Sequence, residues 1–451
     1  MGPLMVSVSG VRGIVGLEFH PLLVARWASA FEAGLPQGAI VVGRDSRPSG
    51  ERLACAAMDI LQSCGREVWD LGIVPTPTVQ VAVESWAAAG GLILTASHNP
   101  SEWNALKFVG PDGSFLSAAA FHELHERVEA EPKRFRPAER WGSRDHRGGE
   151  ALTLHRDRIM GKIDVAAVRE RSPSVLIDCV HGAGGVLLPD LLCQLGARVE
   201  VLNGEPHGRF PREPEPTGKA LDELAAEAAR RGVDFAVAVD PDADRCGLAC
   251  PNGPVVGEEW TLPLVAAHLL RSRRGPVVTN LSTSTRLDAV AEGYGCPLER
   301  TPVGEAHVVA RMREIRAVLG GEGNGGVIDP EIHYGRDAAV AAAWLLEAHV
   351  KEDGGLAGIA SRLPPRYLLK AKLPLPGGGD ETGFLERLRE RFGEATDDRD
   401  GLRWAMPGGF VHVRASATEP ILRVVVEAIS EDGVQSLMKS VVELAQREDR
   451  G

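Results

Sequence analysis

The chain has 451 residues, of which 44% are apolar and 25% charged, and this composition excludes a disordered, collagenous or coiled-coil protein. Lys and Arg number 50 against 62 Asp and Glu, and the net charge of −12 disfavours nucleic acid and anionic lipid as partners. The seven cysteines are scattered and form no CxxC pair, so we predict free thiols in a reducing, cytoplasmic compartment. The first residues show no secretory pattern and no run of about 18 apolar residues occurs, so we expect no membrane association.

Short Val/Ile/Leu runs alternate with amphipathic stretches along most of the chain, a pattern typical of parallel α/β sheets. In the first unit this pattern predicts strands over 39–43, 67–71 and 91–95, with helices over 52–64 and 79–89. In the second it predicts strands over 175–179, 198–202 and 235–240, with helices over 186–195 and 221–231. In the third it predicts strands over 277–280 and 317–320, with helices over 286–292, 307–315 and 338–349.

The C-terminal part of the chain follows a different pattern. It predicts a strand over 367–375, a Gly-rich break at 377–379, a helix, short strands and a last helix over 433–446. We therefore predict three related mixed or parallel α/β sandwich domains and a smaller C-terminal α+β domain. The predicted boundaries are 1–148, 149–250, 251–365 and 366–451, and the polar, Arg-rich segment 131–150 marks the first of them.

The loop Thr95-Ala-Ser-His-Asn-Pro100 directly follows a predicted strand. In open parallel sheets, ligands bind outside the carboxyl ends of the strands, which puts Ser97 and His98 at such an edge. A serine there is a candidate nucleophile or phosphate carrier, and the alternative is a polar turn whose hydroxyl caps the backbone. Because adjacent side chains diverge, we do not expect His98 to activate Ser97.

Three carboxylates on alternate residues follow the apolar run 235–239, in the segment Asp240-Pro-Asp-Ala-Asp-Arg245. Their oxygens can converge on one hard cation. An EF-hand is excluded, because Arg245 and Pro251 stand where that loop needs Gly and Glu. A solvated acidic turn stays open as an alternative. So does a phosphatase with Asp240 as nucleophile, although such sites usually have Thr or Val where Asp244 stands.

Two further loops carry candidate binding residues. Gly321-Glu-Gly-Asn-Gly-Gly326 fits GxGxxG but runs into Val327-Ile-Asp-Pro330, which starts no helix, so a dinucleotide site is disfavoured. Glu322 and Asn324 are instead candidates for gripping sugar hydroxyls, with a glycine-rich hairpin as the alternative. In the tail, Arg414, Ser416, Thr418 and Arg423 offer forked donors and hydroxyls for a phosphate, with a surface turn as the alternative.

Taken together and in this order, the four loops resemble those of the α-D-phosphohexomutases, the family of phosphoglucomutase, phosphomannomutase and phosphoglucosamine mutase. The resemblance covers essentially the whole chain and includes Ser9-Gly-Val-Arg-Gly-Ile-Val-Gly16, Gly43-Arg-Asp-Ser-Arg-Pro-Ser49 and Thr301-Pro-Val-Gly304. It implies four domains around a central cleft. It also implies an enzyme that interconverts hexose 1- and 6-phosphates of glucose or mannose, with glucosamine phosphate as runner-up, acting as a monomer or homodimer.

The resemblance also implies roles for individual residues. Ser97 would be the phosphoserine, and Asp240, Asp242 and Asp244 would hold one Mg²⁺ together with an oxygen of that phosphoserine. Glu322 and Asn324 would read the sugar 3- and 4-hydroxyls, and a hexose 1,6-bisphosphate would serve as intermediate and activator. The residues near the transferring phosphoryl group would be Arg12, Lys107 and Arg245; those on the distal phosphate would be Arg414, Ser416, Thr418 and Arg423.

The chain departs from the family pattern at several positions. Ala105 replaces a glycine that many members have, and the sugar loop reads Asn324-Gly325-Gly326 instead of Ser-Gly-His. Glu305 stands where some members have a histidine after the TPVG glycine, so no ring-contacting histidine is carried over. Lys107 and His98 are the candidates for acid/base work. The competing hypotheses are the Asp240 phosphatase and a non-catalytic phosphosugar-binding protein, and the intact Ser97 and aspartates argue against the second.

Overall fold

The structure is a computed structural model that describes residues 4–130, 135–251, 255–374, 381–415 and 421–446. Within these ranges the chain forms four β-sheets, each covered by helices. No helix in these ranges combines the length and the apolarity needed to traverse a bilayer.

The first sheet has seven strands in the order β1-β2-β6-β5-β3-β4-β7. Strands β5, β3, β4 and β7 are parallel, whereas β6, β2 and β1 are added antiparallel. Neighbouring residues of a strand point to opposite faces, so Val42 packs in one apolar cluster and Val41 in another. The elements are β1 (Met5–Ser7), β2 (Gly10–Ile14), α1 (Pro21–Ala33), β3 (Ile40–Arg44), α2 (Gly50–Ser63), β4 (Val68–Ile73), α3 (Thr76–Ser85), β5 (Gly90–Leu94), β6 (Trp103–Val109), α4 (Ala118–Glu129) and β7 (Arg144–His146).

The second and third sheets share one apolar core. Their strand orders are β12-β11-β10-β8-β9 and β14-β13-β15-β16, and Leu192 and Leu345 belong to the same buried cluster. The elements are α5 (Gly148–Met160), α6 (Val165–Arg171), β8 (Ser174–Asp178), α7 (Leu188–Leu195), β9 (Arg198–Leu202), α8 (Lys219–Arg231), β10 (Phe235–Val239), β11 (Cys246–Ala249), β12 (Val256–Gly257), α9 (Thr261–Leu269), β13 (Val277–Asn280), α10 (Arg286–Gly293), β14 (Leu298–Thr301), α11 (Glu305–Ile315), β15 (Leu319–Glu322), β16 (Gly326–Ile328), α12 (Ala338–Lys351) and α13 (Gly355–Ser361).

The fourth sheet is antiparallel, in the order β17-β20-β19-β18, and two helices cover it. Its elements are β17 (Tyr367–Pro374), α14 (Glu381–Phe392), β18 (Leu402–Met406), β19 (Gly409–Ala415), β20 (Ile421–Ala428) and α15 (Glu431–Gln446). The predicted fold class, three related α/β units followed by a smaller α+β unit, is confirmed. The four exact domain boundaries stay predictions, and the Gly-rich break at 377–379 lies outside the described residues.

Several predicted elements have other limits in the structure, among them the helix expected over 79–89, which is α3 (Thr76–Ser85). The helix expected over 186–195 is a 3₁₀ turn, Ala183–Val186, followed by α7, because Pro189 fits only the first turn of a helix. The strand expected over 317–320 is β15, which runs two residues further and therefore ends on Glu322.

The three α/β units place their functional loops at equivalent positions. In each one a parallel strand ends in the loop and an antiparallel strand returns beside it, in the pairs β5–β6, β10–β11 and β15–β16. The same local topology therefore presents the serine, aspartate and glycine-rich loops at the carboxyl end of a strand, where ligand sites form.

Candidate active site

Ser97 lies in a tight turn after β5 and is 5% exposed. Its φ of +48° is left-handed, and its amide donates to Thr95 Oγ1 at 3.0 Å. This turn directs the hydroxyl to Asp240 Oδ2, at 2.9 Å. The expectation that Ser97 and His98 diverge is wrong, because the left-handed backbone brings Ser97 Oγ to 3.4 Å from His98 Nδ1.

Arg47 holds the backbone of this loop in place through its guanidinium. The sequence analysis assigned no role to this residue. The side chain is fully buried and forms an ion pair with Asp45 at 2.9 Å. It also donates to four backbone carbonyl oxygens of the serine loop and its return strand, those of Ser97, Asn99, Pro100 and Trp103. Asp45 in turn accepts from Thr95 Oγ1 at 2.6 Å. Arg47 therefore fixes the backbone from which the Ser97 hydroxyl projects.

The aspartate loop brings its three carboxylates together in the interior. Asp240, Asp242 and Asp244 are each 0% exposed, so the alternative of a solvated acidic turn is wrong. One oxygen from each lies within 4.8 Å of the others. Ala243 turns the loop with a φ of +53°, and Asp240 Oδ1 accepts from the amide of Asp244 at 3.1 Å.

The donor set of this loop fits a hard divalent cation. Asp242 Oδ1 and Asp244 Oδ1 are buried and lack a hydrogen-bond partner, while the second oxygen of each is held by a cation. Burial and the neighbouring carboxylates of Asp244 and Asp242 raise the pKa of Asp240 well above its usual range. Buried carboxylate oxygens that accept no hydrogen bond are ligands that Mg²⁺ or Ca²⁺ prefers, and a bound cation would relieve the repulsion among the three carboxylates.

The cations predicted near the transferring phosphoryl group lie at the serine and aspartate loops; they are Arg12, Lys107 and Arg245. Lys107 Nζ lies 2.8 Å from Asp242 Oδ2 and, although burial opposes it, holds the pKa of that carboxyl well below its usual range. Arg245 pairs with Glu215 at 2.6 Å, and Arg12 donates to Asn99 Oδ1 at 3.2 Å.

His98 is half-buried beside these cations. Burial, reinforced by the charge of Arg245, lowers the pKa of His98 to about 3. The imidazole is therefore neutral near pH 7, and a proton taken up there would add a positive charge beside Arg245 and Arg12.

Glu322 ends β15 and is 1% exposed. Its carboxylate accepts from Asn280 Nδ2 at 2.7 Å and from the amide of Gly304 at 2.9 Å, and Asn324 Nδ2 lies 3.3 Å away. The glycine-rich loop joins two antiparallel strands and opens no helix, as a hairpin does. The structure thus brings Glu322 and Asn324 together beside the TPVG turn.

Arg336 is a second site residue that the sequence analysis missed. Its guanidinium lies 2.5 Å from Asp244 Oδ2, 2.5 Å from Glu322 Oε2 and 3.0 Å from Glu305 Oε2. The sequence offers one local signal beside it, because Asp337 precedes the apolar stretch of α12 and caps that helix. That signal marks the start of a helix and does not single out Arg336. No pattern in the sequence indicates which carboxylates Arg336 contacts.

The fourth unit contributes a row of cations. Arg414 and Arg423 are paired positions on β19 and β20, and Lys372, also missed, is paired with Arg423 on β17. Arg423 is close enough to His98 to lower the pKa of that imidazole further. Ser416 and Thr418 lie outside the described residues. Among the residues predicted for the distal phosphate, Arg423 thus contributes positive charge near the serine loop.

This combination of three α/β units, a fourth α+β unit and a buried serine next to an aspartate triplet defines the α-D-phosphohexomutase fold and site. Four descriptions match along the chain: phosphoglucomutase/phosphomannomutase alpha/beta/alpha domains I, II and III at residues 4–135, 154–253 and 258–367, and the C-terminal domain at 372–444. The chain belongs to the phosphoglucomutase/phosphomannomutase family and is an enzyme of intramolecular phosphoryl transfer.

Similar proteins span the chain from end to end. A phosphoglucomutase/phosphomannomutase of Thermococcus kodakarensis is 36% identical over 100% of both chains. A phosphoglucosamine/phosphogalactosamine mutase of Sulfurisphaera tokodaii is 31% identical over 98% of this chain and 100% of its own. The crystal structure of a phosphoglucomutase/phosphomannomutase family protein from Burkholderia thailandensis covers 98% of each chain at 26% identity, with a TM-score of 0.82.

Proposed function

We propose that this enzyme interconverts the 1- and 6-phosphates of a hexose, glucose or mannose or both, through a phosphoserine at Ser97 and a hexose 1,6-bisphosphate. The observation that carries the proposal is the 2.9 Å contact between Ser97 Oγ and Asp240 Oδ2, which joins the serine loop to the aspartate triplet. Phosphoryl transfer depends on a positioned acceptor and on neutralised oxygens; the contact of Ser97 with Asp240 supports the first, and the second would come from the arginines and a bound cation.

In the forward half-reaction, a sugar hydroxyl oxygen forms a bond to the phosphorus of phospho-Ser97 as the bond to Ser97 Oγ breaks. The hydroxyl proton leaves to a neighbouring base, for which His98 and Lys107 are the candidates. In the return half-reaction the Ser97 hydroxyl, oriented by its bond to Asp240, accepts the other phosphoryl group of the bisphosphate. Ser97 Oγ takes up a proton as it leaves in the forward half and loses one as it is phosphorylated in the return half. In that return half the bond between the phosphorus and the sugar oxygen breaks, and the departing sugar oxygen takes a proton back from the base, so atoms and charge balance and the serine ends phosphorylated again.

The other residues bind and orient. Arg12 and Arg245 would neutralise the transferring phosphoryl oxygens, and Glu322 and Asn324 would accept and donate hydrogen bonds at the sugar hydroxyls. Arg414 and Arg423, with Ser416 and Thr418, would hold the phosphate that is not reacting. Asp240, Asp242 and Asp244 would hold the Mg²⁺, which when bound supplies electrostatic stabilisation to the phosphoryl oxygens.

The identity of the sugar has two candidates. The Thermococcus relative is named for glucose and mannose phosphates, and the Sulfurisphaera relative for glucosamine and galactosamine phosphates. A panel of glucose, mannose and glucosamine 1-phosphates, each with a trace of the matching bisphosphate, ranks them by kcat/KM. We expect glucose or mannose to rank first, and a preference for the amino sugar of tenfold or more would overturn that choice. Monomeric or homodimeric assembly and a cytoplasmic location stay predictions.

The phosphoserine is tested by intact mass and by Ser97→Ala. We expect the purified enzyme to carry one phosphate on Ser97, and the alanine variant to bind Mn²⁺ but lose mutase turnover by at least about 10³-fold. Retention of mutase activity by Ser97→Ala would refute the mechanism. A hydrolytic activity that survives Ser97→Ala and is lost in Asp240→Asn would favour the Asp240 phosphatase instead.

A further inference from the structure

The Arg336 side chain is 10% exposed, and each of its three guanidinium nitrogens contacts a carboxylate from a different segment. Nη2 meets Asp244 in the aspartate loop, Nη1 meets Glu322 at the end of β15, and Nε meets Glu305 at the start of α11. Because a guanidinium is planar and rigid, these three carboxylates cannot move independently while the contacts persist.

The three carboxylates belong to different parts of the site. Asp244 is a candidate cation ligand whose other oxygen accepts no hydrogen bond and lies 3.5 Å from Arg245 Nε, and Glu322 is the candidate reader of sugar hydroxyls. Glu305 accepts from Gln80 Nε2 at 3.1 Å, which ties the same group to the first unit. Arg336 therefore contacts both the aspartate triplet and the glycine-rich loop.

The surrounding chain is shaped to hold Arg336 in this place. A Cβ added to Gly326 would lie 2.4 Å from Arg336 Cδ, so only glycine leaves room for the side chain beneath the hairpin. The next residue, Asp337, is buried between His155 at 2.6 Å and His333 at 3.0 Å. The amide of Ala338 donates to the Ala243 carbonyl at 3.1 Å, which fixes the backbone of the arginine to the aspartate loop.

We propose that Arg336 is a positioning residue that couples cation binding at the aspartate triplet to sugar recognition at Glu322. A cation drawn onto Asp244 changes the position of that carboxylate, and Arg336 transmits the change to Glu322. By linkage, the sugar then raises the affinity for the cation by the same factor as the cation raises the affinity for the sugar. The inference rests on the proposed function, because it uses Glu322 as the group that contacts the sugar.

The experiment measures Mn²⁺ binding by electron paramagnetic resonance, which reports free Mn²⁺ and needs no turnover. Each protein is titrated alone, with saturating inorganic phosphate, and with saturating glucose 1-phosphate. Phosphate reports the coupling due to charge alone, and the excess seen with glucose 1-phosphate reports the coupling that involves the sugar. The proteins are the full-length enzyme, Arg336→Met, Arg336→Lys, and Arg311→Lys as a control from an exposed ion-pair cluster on α11.

For the unaltered enzyme and for Arg311→Lys, we expect glucose 1-phosphate to tighten Mn²⁺ binding at least about fivefold more than phosphate does. In Arg336→Met, glucose 1-phosphate should tighten Mn²⁺ binding no more than about twofold beyond the effect of phosphate. In Arg336→Lys the excess should be intermediate, because an ammonium cannot contact three carboxylates at once. A purely structural role would lower the melting temperature of the variants without changing the excess.

The coupling is refuted if the excess persists in both Arg336 variants, or if the unaltered enzyme turns over a hexose phosphate yet shows no excess. These results would leave the proposed function standing. Failure of the unaltered enzyme to turn over any sugar of the panel would instead overturn the proposed function, and with it the premise of the coupling.

Discussion

Replacing Arg47 by methionine tests whether the serine loop depends on a buried cation. The substitution leaves the Asp45 carboxyl without its cation at 0% exposure, which raises further a pKa that burial already raises, and it removes five side-chain hydrogen bonds. Breaking a buried ion pair by removing one partner costs about 3–5 kcal/mol. Because Pro100 is exposed, the carbonyl oxygens near it that lose Arg47 regain hydrogen bonds to water in part. We therefore expect the free energy of unfolding to fall by about 4 kcal/mol in total, which is less than the sum of five separate bonds.

The assay is urea denaturation combined with hydrogen exchange of the peptides that cover 95–109, and intact mass reports the phosphate on Ser97. Arg44→Met is the matched control, because that guanidinium is bonded at 3.4 Å to the Asp45 carbonyl oxygen, and we expect it to cost below about 1 kcal/mol. The double variant Asp45→Asn/Arg47→Met removes the stranded charge and should recover about half of the loss. A cost below about 1 kcal/mol for Arg47→Met, or no recovery in the double variant, would refute the reasoning.

Three other substitutions have definite expected outcomes. Glu258 and Glu259 share the Lys370 ammonium at 2.7 and 2.8 Å, and burial raises the pKa of Glu259 from 4.5 to about 7. Because the folded state holds this proton more tightly than the unfolded state, the contribution to stability is complete below pH 4.5 and is lost as the pH rises through about 7. We therefore compare the free energies of unfolding of Glu259→Gln and of the unaltered enzyme by urea denaturation. The difference, variant minus unaltered enzyme, should rise by about 2–3 kcal/mol from pH 5 to pH 8.5, and a difference independent of pH would contradict this. Gly326→Ala should lower kcat/KM about 100-fold by displacing Arg336, whereas Gly293→Ala, with no atom within 4 Å of the added Cβ, should change it less than about twofold; equal effects would count against the packing argument. Glu215→Gln frees Arg245 from its 2.6 Å ion pair and should lower the Ki of inorganic phosphate roughly fivefold, the equivalent of about 1 kcal/mol, and a weaker phosphate inhibition would show that Glu215 does not compete for that guanidinium.

The loops of the site could be predicted from the sequence, whereas the residues that hold these loops in place could not. An apolar run followed by polar residues and proline is a local pattern, so the serine and aspartate loops and the strands before them could be predicted. Arg47 and Arg336 act on partners 50 and 92 residues away, across loops and units, and no local pattern encodes such contacts. Thr76, which donates to Asp242 Oδ2 at 2.7 Å from 166 residues away, was missed for the same reason.

The relation of Ser97 to His98 was predicted wrongly for a different reason. Divergence of adjacent side chains holds for extended backbone, and the prediction assumed such backbone through the turn. The structure gives Ser97 a left-handed φ of +48°, a conformation rare in residues other than glycine and costly unless the surroundings impose it. The surroundings here are Thr95, which accepts from the Ser97 amide, and Arg47, which binds the Ser97 carbonyl. Local strain of this kind is set by tertiary contacts that no sequence pattern predicts.

The charge balance of the site explains how a protein with a net charge of −12 can act on an anionic sugar. Around the serine loop the carboxylates outnumber the cations by two; they are Asp240, Asp242, Asp244, Glu215, Glu305 and Glu322, against Arg12, Lys107, Arg245 and Arg336. Burial, together with the charge of Asp244, raises the pKa of Asp240 and of Glu305, which shows that this excess is costly without a further cation. On the opposite side, Arg414, Arg423 and Lys372 supply positive charge from a separate sheet. We therefore expect the acidic side to need a divalent cation before it accepts a phosphate, and the basic side not to need one. Mg²⁺ removal should accordingly weaken phosphate binding at Ser97 far more than at the arginine row.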